Sequence, residues 1–467
     1  MEHNLGYLSV ISDDVLVRSL RFLDHVSLCR LQFAHPDLVE WGRNQYVWQS
    51  LYNAERGGRS VLSAPTDWRS AFRQLRPAWD DPVLNPEGRL RWQLLANGRD
   101  VPASLGGQDP KVFDVGQGRL LVLAGASYSE RRGGIDLRQA SDAYLLDIAA
   151  IWVDAVPNWQ PIRVEGMPPP ALHGCYAGTF GDGVIADRLV TFAGGNHVNC
   201  HNFVSSLHLS ALPTSIEWQR LEPEEWMSPG ARYAGASAVW NGCLVVLGGR
   251  DYQGFYGGEH IWLLQEPQTS SPTWQLVRAS GEGPSPRVWL TALVVGDNLI
   301  VYGGALWTFD PSCWGNDSPG AVWNCDMTTA TWSCTRPQGA SPQCRVGATS
   351  ALCGKHLFVY GGCNLARGRY LSDCWLYDFS TTTWTRVDAE DSDDVEPRSH
   401  AVAVAIPQRH AVIVFGGARY LEGVYFRDAL CLKQERSEKP VETNTSKAAA
   451  SSSASPQSAS PQKCLLQ

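Results

Sequence analysis

The sequence predicts a small all-α domain, then an all-β propeller of six four-stranded blades, then a disordered tail. Three observations predict the propeller. A Gly-Gly pair closes an apolar run at five near-evenly spaced places. An arginine stands ahead of each of the last four runs, and a tryptophan recurs in a later strand of each unit but the last. Repeats of roughly 50 residues that end an apolar run on a glycine pair are the signature of one propeller blade each.

The runs read LVTFAGG ending at Gly195, CLVVLGG at Gly249, NLIVYGG at Gly304, HLFVYGG at Gly362 and AVIVFGG at Gly417, at intervals of 54, 55, 58 and 55 residues. LLVLAGA, with Gly125 and Ala126 in place of the pair, is an earlier and weaker copy. An unbroken apolar run suits a strand packed on both faces. The glycine pair ends it where the backbone needs freedom or close approach. Arg232, Arg287, Arg345 and Arg398 each open a strand ahead of the run, and blade 2 has Ala171 at that place. A polar loop follows the pair, then a strand such as DCWLYDF (373–379), then Trp159, Trp218, Trp274, Trp332 or Trp384. A tryptophan on the outer strand supplies enough area to fill the wedge between blades.

Closure of the ring is legible as well. The sixth unit, Arg398 to Leu432, gives three strands and no tryptophan strand. The missing strand sits upstream, at Leu90-Arg-Trp92-Gln-Leu-Leu followed by Gly98, which copies Trp274-Gln-Leu-Val followed by Gly281. A strand from before the first blade therefore completes the last, which removes a free sheet edge. The propeller is expected over 90–433. These repeats resemble the kelch family.

Composition bounds the function. The chain has 467 residues, 44 Gly, 19 Trp and a net charge of −8. An acidic balance argues against a nucleic-acid binder, whose affinity rests on Lys and Arg neutralising phosphates. Met1 to Asp14 has neither a basic n-region nor an apolar core, so no signal peptide is read there. No stretch reaches the roughly 18 apolar residues of a membrane span. The 13 scattered Cys then read as reduced thiols of a cytoplasmic or nuclear protein, and the seven from Cys313 to Cys374 contain no CxxC and serve as small core fillers. His197-Val-Asn-Cys200-His201 has no second pair at zinc-finger spacing, so no metal is assigned. The 11 His are too dispersed for the copper cluster of a kelch-type oxidase, and no nucleophile or carboxylate pair stands out. The chain is read as non-catalytic and without cofactors.

Residues 8–51 carry short helical spacings at Val15, Leu16, Leu20, Leu23, Leu28 and Leu31, broken at Asp24-His25 and Pro36, with Ser12-Asp13-Asp14 as a helix cap. ISDDVLVRSLRFLD and Val47-Trp48-Gln49-Ser50-Leu51 resemble the opening and the close of an F-box. The family's proline is Ser12 here, and its Val-Cys-x-x-Trp stretch is Phe33-Ala-His-Pro-Asp. The resemblance places an F-box at 5–52 and implies docking on a Skp-type adaptor and, through it, a cullin-based ubiquitin ligase. The adaptor face carried over is Ile11, Val15, Leu16, Leu20, Leu23, Leu28, Leu31 and Trp48. The linker, 53–89, contains an amphipathic DWRSAFRQLRPA (67–78) that ends at Asp80-Asp-Pro. An F-box followed by kelch repeats implies a substrate receptor whose propeller captures a target protein. A kelch scaffold whose N-terminal helices merely cap the ring is the alternative reading.

Target contacts are expected on the loops between the second and third strands of each blade, which share a face with the connections between blades. These loops carry Tyr128, Arg131 and Arg132 (126–141), Tyr252, Phe255 and Tyr256 (250–259), Trp307 and Trp314 (305–320), Arg367 and Arg369 (363–372) and Tyr420 (418–427). Tyr, Trp and Arg dominate binding energy at protein interfaces. Some of these aromatics are expected to tuck back onto the blade rim. The loop charges nearly cancel, so the sequence declares neither an acidic nor a basic ligand.

The tail, 434–467, is Ser, Ala, Pro and Gln with no large apolar residue until its end, a composition that does not fold. It closes on Cys464-Leu465-Leu466-Gln467, a C-a-a-X box that marks Cys464 for prenylation and a weak, partial membrane association.

Overall fold

A computed structural model describes residues 83–434 apart from 87, 98–100, 102–109, 117, 124–126, 130–133, 137–141, 149–157, 170–171, 182–185, 196–199, 224–227 and 307–318. The F-box reading, the linker up to 82 and the tail beyond 434, with Cys464, lie outside the described residues.

Six antiparallel four-stranded blades follow one another. Blade 1 is Lys111–Asp114, Arg119–Leu123, Ala143–Asp147 and Trp159–Gly166, and blade 2 is Tyr176–Gly181, Ala186–Gly195, Cys200–His208 and Ser215–Leu221. Blade 3 is Ala236–Trp240, Cys243–Leu247, His260–Gln265 and Thr273–Arg278. Blade 4 is Val288–Val295, Asn298–Ala305, Val322–Asp326 and Thr331–Thr335. Blade 5 is Thr349–Cys353, His356–Tyr360, Cys374–Asp378 and Thr383–Val387. Blade 6 takes Val402–Ile406, Ala411–Phe415 and Asp428–Gln434 from the end of the chain and Leu90–Asn97 from before blade 1. In that closing pair Trp92 stands opposite Leu432 and Leu90 opposite Gln434. Blade 6 then packs on blade 1 through Leu120, Val122, Leu146, Ile413 and Phe415, so the ring closes. Val83 and Leu84, just ahead of the closing strand, are fully buried with Trp92, Tyr360 and Val387 between blades 5 and 6.

Three of the second strands are buried throughout, as their apolar runs require: Cys243–Leu247, His356–Tyr360 and Ala411–Phe415 have no exposed residue. The outer tryptophans fill the wedges. Trp92, Trp159, Trp274 and Trp384 meet Tyr360, Phe415, Phe192 and Tyr302 of the preceding blade at ring-centroid distances of 5.2, 6.2, 4.7 and 5.1 Å. Each of those partners is the residue just ahead of the preceding blade's turn pair. Trp332 and Trp384 also donate their indole N–H to the carbonyls of Gly258 and Gly320, in the preceding blade, at 2.7 and 2.8 Å.

Two registers differ from the sequence reading. In blade 2 the turn pair is Ala193-Gly194, with φ of 57° and 113°, and the N–H of Gly194 bonds the Arg232 carbonyl as that of Gly249 bonds Arg287. Alanine at the first place, where φ is near +60°, disguised it. Also in blade 2, Gly174 has the positive φ found two residues after each opening arginine, so Leu172 rather than Ala171 stands in the arginine's place. The second glycine of the pair is needed for close approach: a side chain on Gly249 (φ 87°) would strike the Tyr176 hydroxyl and the Tyr233 carbonyl. The described cysteines are free, and those of the blades are mostly buried; burial pushes the Cys325 thiol up to about 12. No helix among the described residues is long and apolar enough to cross a membrane.

Candidate functional site

The opening arginines are structural keystones rather than free ligand-binding groups. Arg345 and Arg398 are buried and grip Asp373 and Asp428 through paired hydrogen bonds of 2.7 and 2.9 Å and of 2.6 and 2.9 Å. Each also donates to the first glycine carbonyl of its own blade's pair, Gly361 or Gly416. Burial alone would raise the Asp373 carboxyl, but the Arg345 hydrogen bonds and charge outweigh it and hold the group below its ordinary value. In blade 4 the aspartate's position is Ala321, and Arg287 lies over the Trp323 ring at 4.3 Å instead. In blade 3 Arg232 lies 3.8 Å over the Tyr256 ring.

Just past these arginines the chain reaches the propeller axis. Gly174, Ala234, Trp289, Gly347 and His400 all have φ between 56° and 63°. Each N–H from Ala234 onward bonds the carbonyl of the equivalent residue one blade back, at 2.9, 2.7, 3.0 and 2.8 Å. This left-handed conformation costs a tryptophan more than a glycine, so Trp289 is held there by its surroundings. Its indole meets His400 of blade 6 at 4.3 Å and His173 of blade 2 at 5.4 Å, reaching non-adjacent blades across the axis. Trp289 also packs between two loop clusters, Tyr233 and Phe255 from blade 3 and Leu365 and Tyr370 from blade 5. His400 in turn meets Tyr420 at 5.3 Å, and Tyr420 meets Tyr370 at 6.0 Å. The second-to-third-strand loops and the entries to the first strands therefore share one face, with an aromatic floor at its centre.

The predicted loop residues divide. Tyr256 tucks back: it covers Arg232 and donates to Asp251 at 2.5 Å, and burial together with that carboxylate pushes its hydroxyl up to about 12. Phe255 tucks under Arg250, whose guanidinium stands 4.7 Å from the ring. Tyr420 turns toward His400 and the axis. Tyr252 stays 59% exposed and accepts the Cys200 N–H. Arg367 and Arg369 are exposed on a hairpin whose limbs are Cys363–Asn364 and Arg369–Tyr370. Arg131, Arg132, Trp307 and Trp314, the side chain of Tyr128, and the adaptor-face residues from Ile11 to Trp48 lie outside the described residues, as does His197 of the set-aside metal motif. His201 of that motif stacks on Phe203. Sequence reasoning missed Trp289 and His400, although a signal existed: a large residue two places after an arginine where other blades have Gly or Ala.

The chain is 28% identical over 295 residues to Adagio-like protein 3 of Oryza sativa subsp. japonica, covering 61% of this chain and 43% of that protein. It is 32% identical over 196 residues to acyl-CoA-binding domain-containing protein 5 of Arabidopsis thaliana, covering 41% of this chain and 29% of that one. Against Kelch domain-containing protein 2 of Bos taurus the identity is 24% over 284 residues, 56% of this chain and 64% of the relative. The chain thus spans less than two thirds of the length of these curated relatives. The family model for the KLHDC2/KLHL20/DRC7 Kelch-repeats domain matches residues 83–304 and 267–459. With its six blades, glycine-pair turns and wedge tryptophans, the chain belongs to the KLHDC2/KLHL20/DRC7 Kelch-repeats domain family and is a kelch-repeat scaffold.

Proposed function

We propose that this scaffold is the non-catalytic receptor subunit of a ubiquitin ligase, binding a target protein on its loop face and a Skp-type adaptor through an N-terminal F-box. One observation carries the receptor half. A closed ring presents on one face an aromatic floor, Trp289 with His400 and Tyr420, rimmed by the exposed Tyr252, Leu421, Arg367 and Arg369. Loops on a rigid scaffold that present aromatic and arginine side chains are where protein interfaces take their energy. The adaptor half is supported by the F-box-like ISDDVLVRSLRFLD and by the closing Trp48. The burial of Val83 and Leu84 against the closing strand would give such a module a fixed point of attachment.

The test is co-purification. Leu16→Ala with Leu20→Ala should abolish recovery of the adaptor and its cullin while the propeller keeps its circular dichroism spectrum. Undiminished recovery removes the F-box and leaves the kelch scaffold reading. The same proposal includes a weak membrane association through a prenylated Cys464 at the end of the tail. Intact-mass measurement of the protein from its own cells tests it, and an unmodified C-terminal Gln467 excludes it.

A further inference from the structure

Arginines and carboxylates are nearly balanced in the sequence of the loops but not in their availability. In the described second-to-third-strand loops of blades 3, 5 and 6 most acids are engaged by other groups of the chain. Asp251 accepts from the Tyr256 hydroxyl and from the N–H groups of Gln253 and Gly254. Glu259, beside His260 at 3.7 Å, is the exception and stays exposed. Asp373 and Asp428, where these loops end, hold the buried Arg345 and Arg398. Glu422 pairs with Arg419 at 2.9 Å, and Arg419 takes Glu396 as well, at 2.6 Å. Among the described residues, Arg250, Arg367 and Arg369 have no acidic partner. Arg367 and Arg369 project from the blade 5 hairpin with no ion pair among the described residues, and Arg250 has its guanidinium over Phe255 and donates to the Asp251 carbonyl. On a chain of net charge −8, the described loops of blades 3, 5 and 6 therefore present guanidinium groups without an acidic partner.

Apolar surface lies beside that charge. Leu421 is 61% exposed, and its N–H donates to the Tyr370 hydroxyl at 3.0 Å, which holds the blade 6 loop against the arginine hairpin. Trp289, half-buried, lies inward between the blade 3 and blade 5 loops.

We propose, resting on the receptor reading, that the loop face takes an acidic segment of a polypeptide. Side-chain carboxylates of the segment meet Arg367, Arg369 and Arg250, and an apolar side chain next to them seats on Leu421 and the Trp289 floor. Planar guanidinium groups pair carboxylates through two parallel hydrogen bonds and are more weakly hydrated than ammonium groups, so they suit this role. Contacts of this kind speed encounter with an oppositely charged partner and weaken with salt.

Selection from a displayed library of random peptides with blocked C-termini, on the full-length chain, tests the proposal. Peptides whose capture depends on Leu421 (lost on Leu421→Asp) should be enriched in Asp and Glu around an apolar residue. Binding of the strongest should fall about tenfold or more with Arg367→Glu and Arg369→Glu together, and also at high salt. All these substitutions are at exposed side chains, so the ring stays folded. Leu421-dependent peptides that show no acidic bias, or that are indifferent to the charge reversal, overturn the acidic segment and leave the receptor reading standing. Recovery of no Leu421-dependent peptide overturns both.

Discussion

Replacing Trp92 by alanine tests the closure of the ring. Trp92 is 4% exposed, lies 5.2 Å from Tyr360 of blade 5, and shares a core with Val83, Leu84, Val387 and Leu432. A buried indole of roughly 200 Å² at about 25 cal/mol per Å² gives an upper value near 5 kcal/mol. The methyl left behind reduces this, and the cavity left between blades keeps the loss large, so about 4 kcal/mol is expected. Leu94→Ala, on the same strand but 52% exposed, should cost about 0.5 kcal/mol or less. The assay is equilibrium unfolding in urea, followed by far-ultraviolet circular dichroism on the full chain. With a slope of about 3 kcal/mol per molar urea, Trp92→Ala lowers the midpoint by about 1.3 M, while Leu94→Ala barely moves it. Equal midpoints for the two variants would refute closure by this strand, because a tryptophan outside the wedge has no cavity to leave.

Two further outcomes follow from the buried arginines. Arg398→Met should cost about 3–5 kcal/mol by leaving the Asp428 carboxylate buried without its cation, and adding Asp428→Leu should recover most of the loss; urea midpoints of the single and double variants decide it. Asp373 titrates below its ordinary value in the folded chain, so its contribution is fully present above the unfolded value of about 3.9 and is lost as pH falls through the lower folded value. Asp373→Asn should therefore flatten the decline of the urea midpoint below about pH 4, and an unchanged slope would show that Asp373 makes no such contribution.

The ring was legible because its determinants are local or periodic. A two-sided apolar strand, a turn that favours φ above zero and a wedge tryptophan each leave a mark at a fixed offset, and the marks recur. Even closure was legible, since blade 6 lacks a tryptophan that Trp92 supplies. The errors arose where one mark was replaced by a residue that does the same work. Ala193 takes the first turn position in blade 2 at φ 57°, and Leu172 takes the arginine's place where no strand-3 aspartate calls for a cation.

The site was less legible because its character depends on pairings between blades, which leave no periodic trace. Asp251 and Arg250 adjoin in sequence, yet Asp251 bonds Tyr256 and Arg250 lies on Phe255, so the two side chains do not pair with each other. Arg419 draws on Glu396, which belongs to the connection between blades and would not be counted with the loop. Trp289 looks like the start of an ordinary strand, and only the assembled ring brings it to the axis between His173 and His400. The backbone hydrogen bonds that link Gly174, Ala234, Trp289, Gly347 and His400 fix where that indole stands. A floor set by the ring's own backbone is rigid, whereas the hairpin at Arg367 and Arg369 is joined to it mainly through Tyr370 and Leu365. On the receptor reading we propose, discrimination among partners of equal charge should then reside at the floor, and the rate of encounter at the arginines.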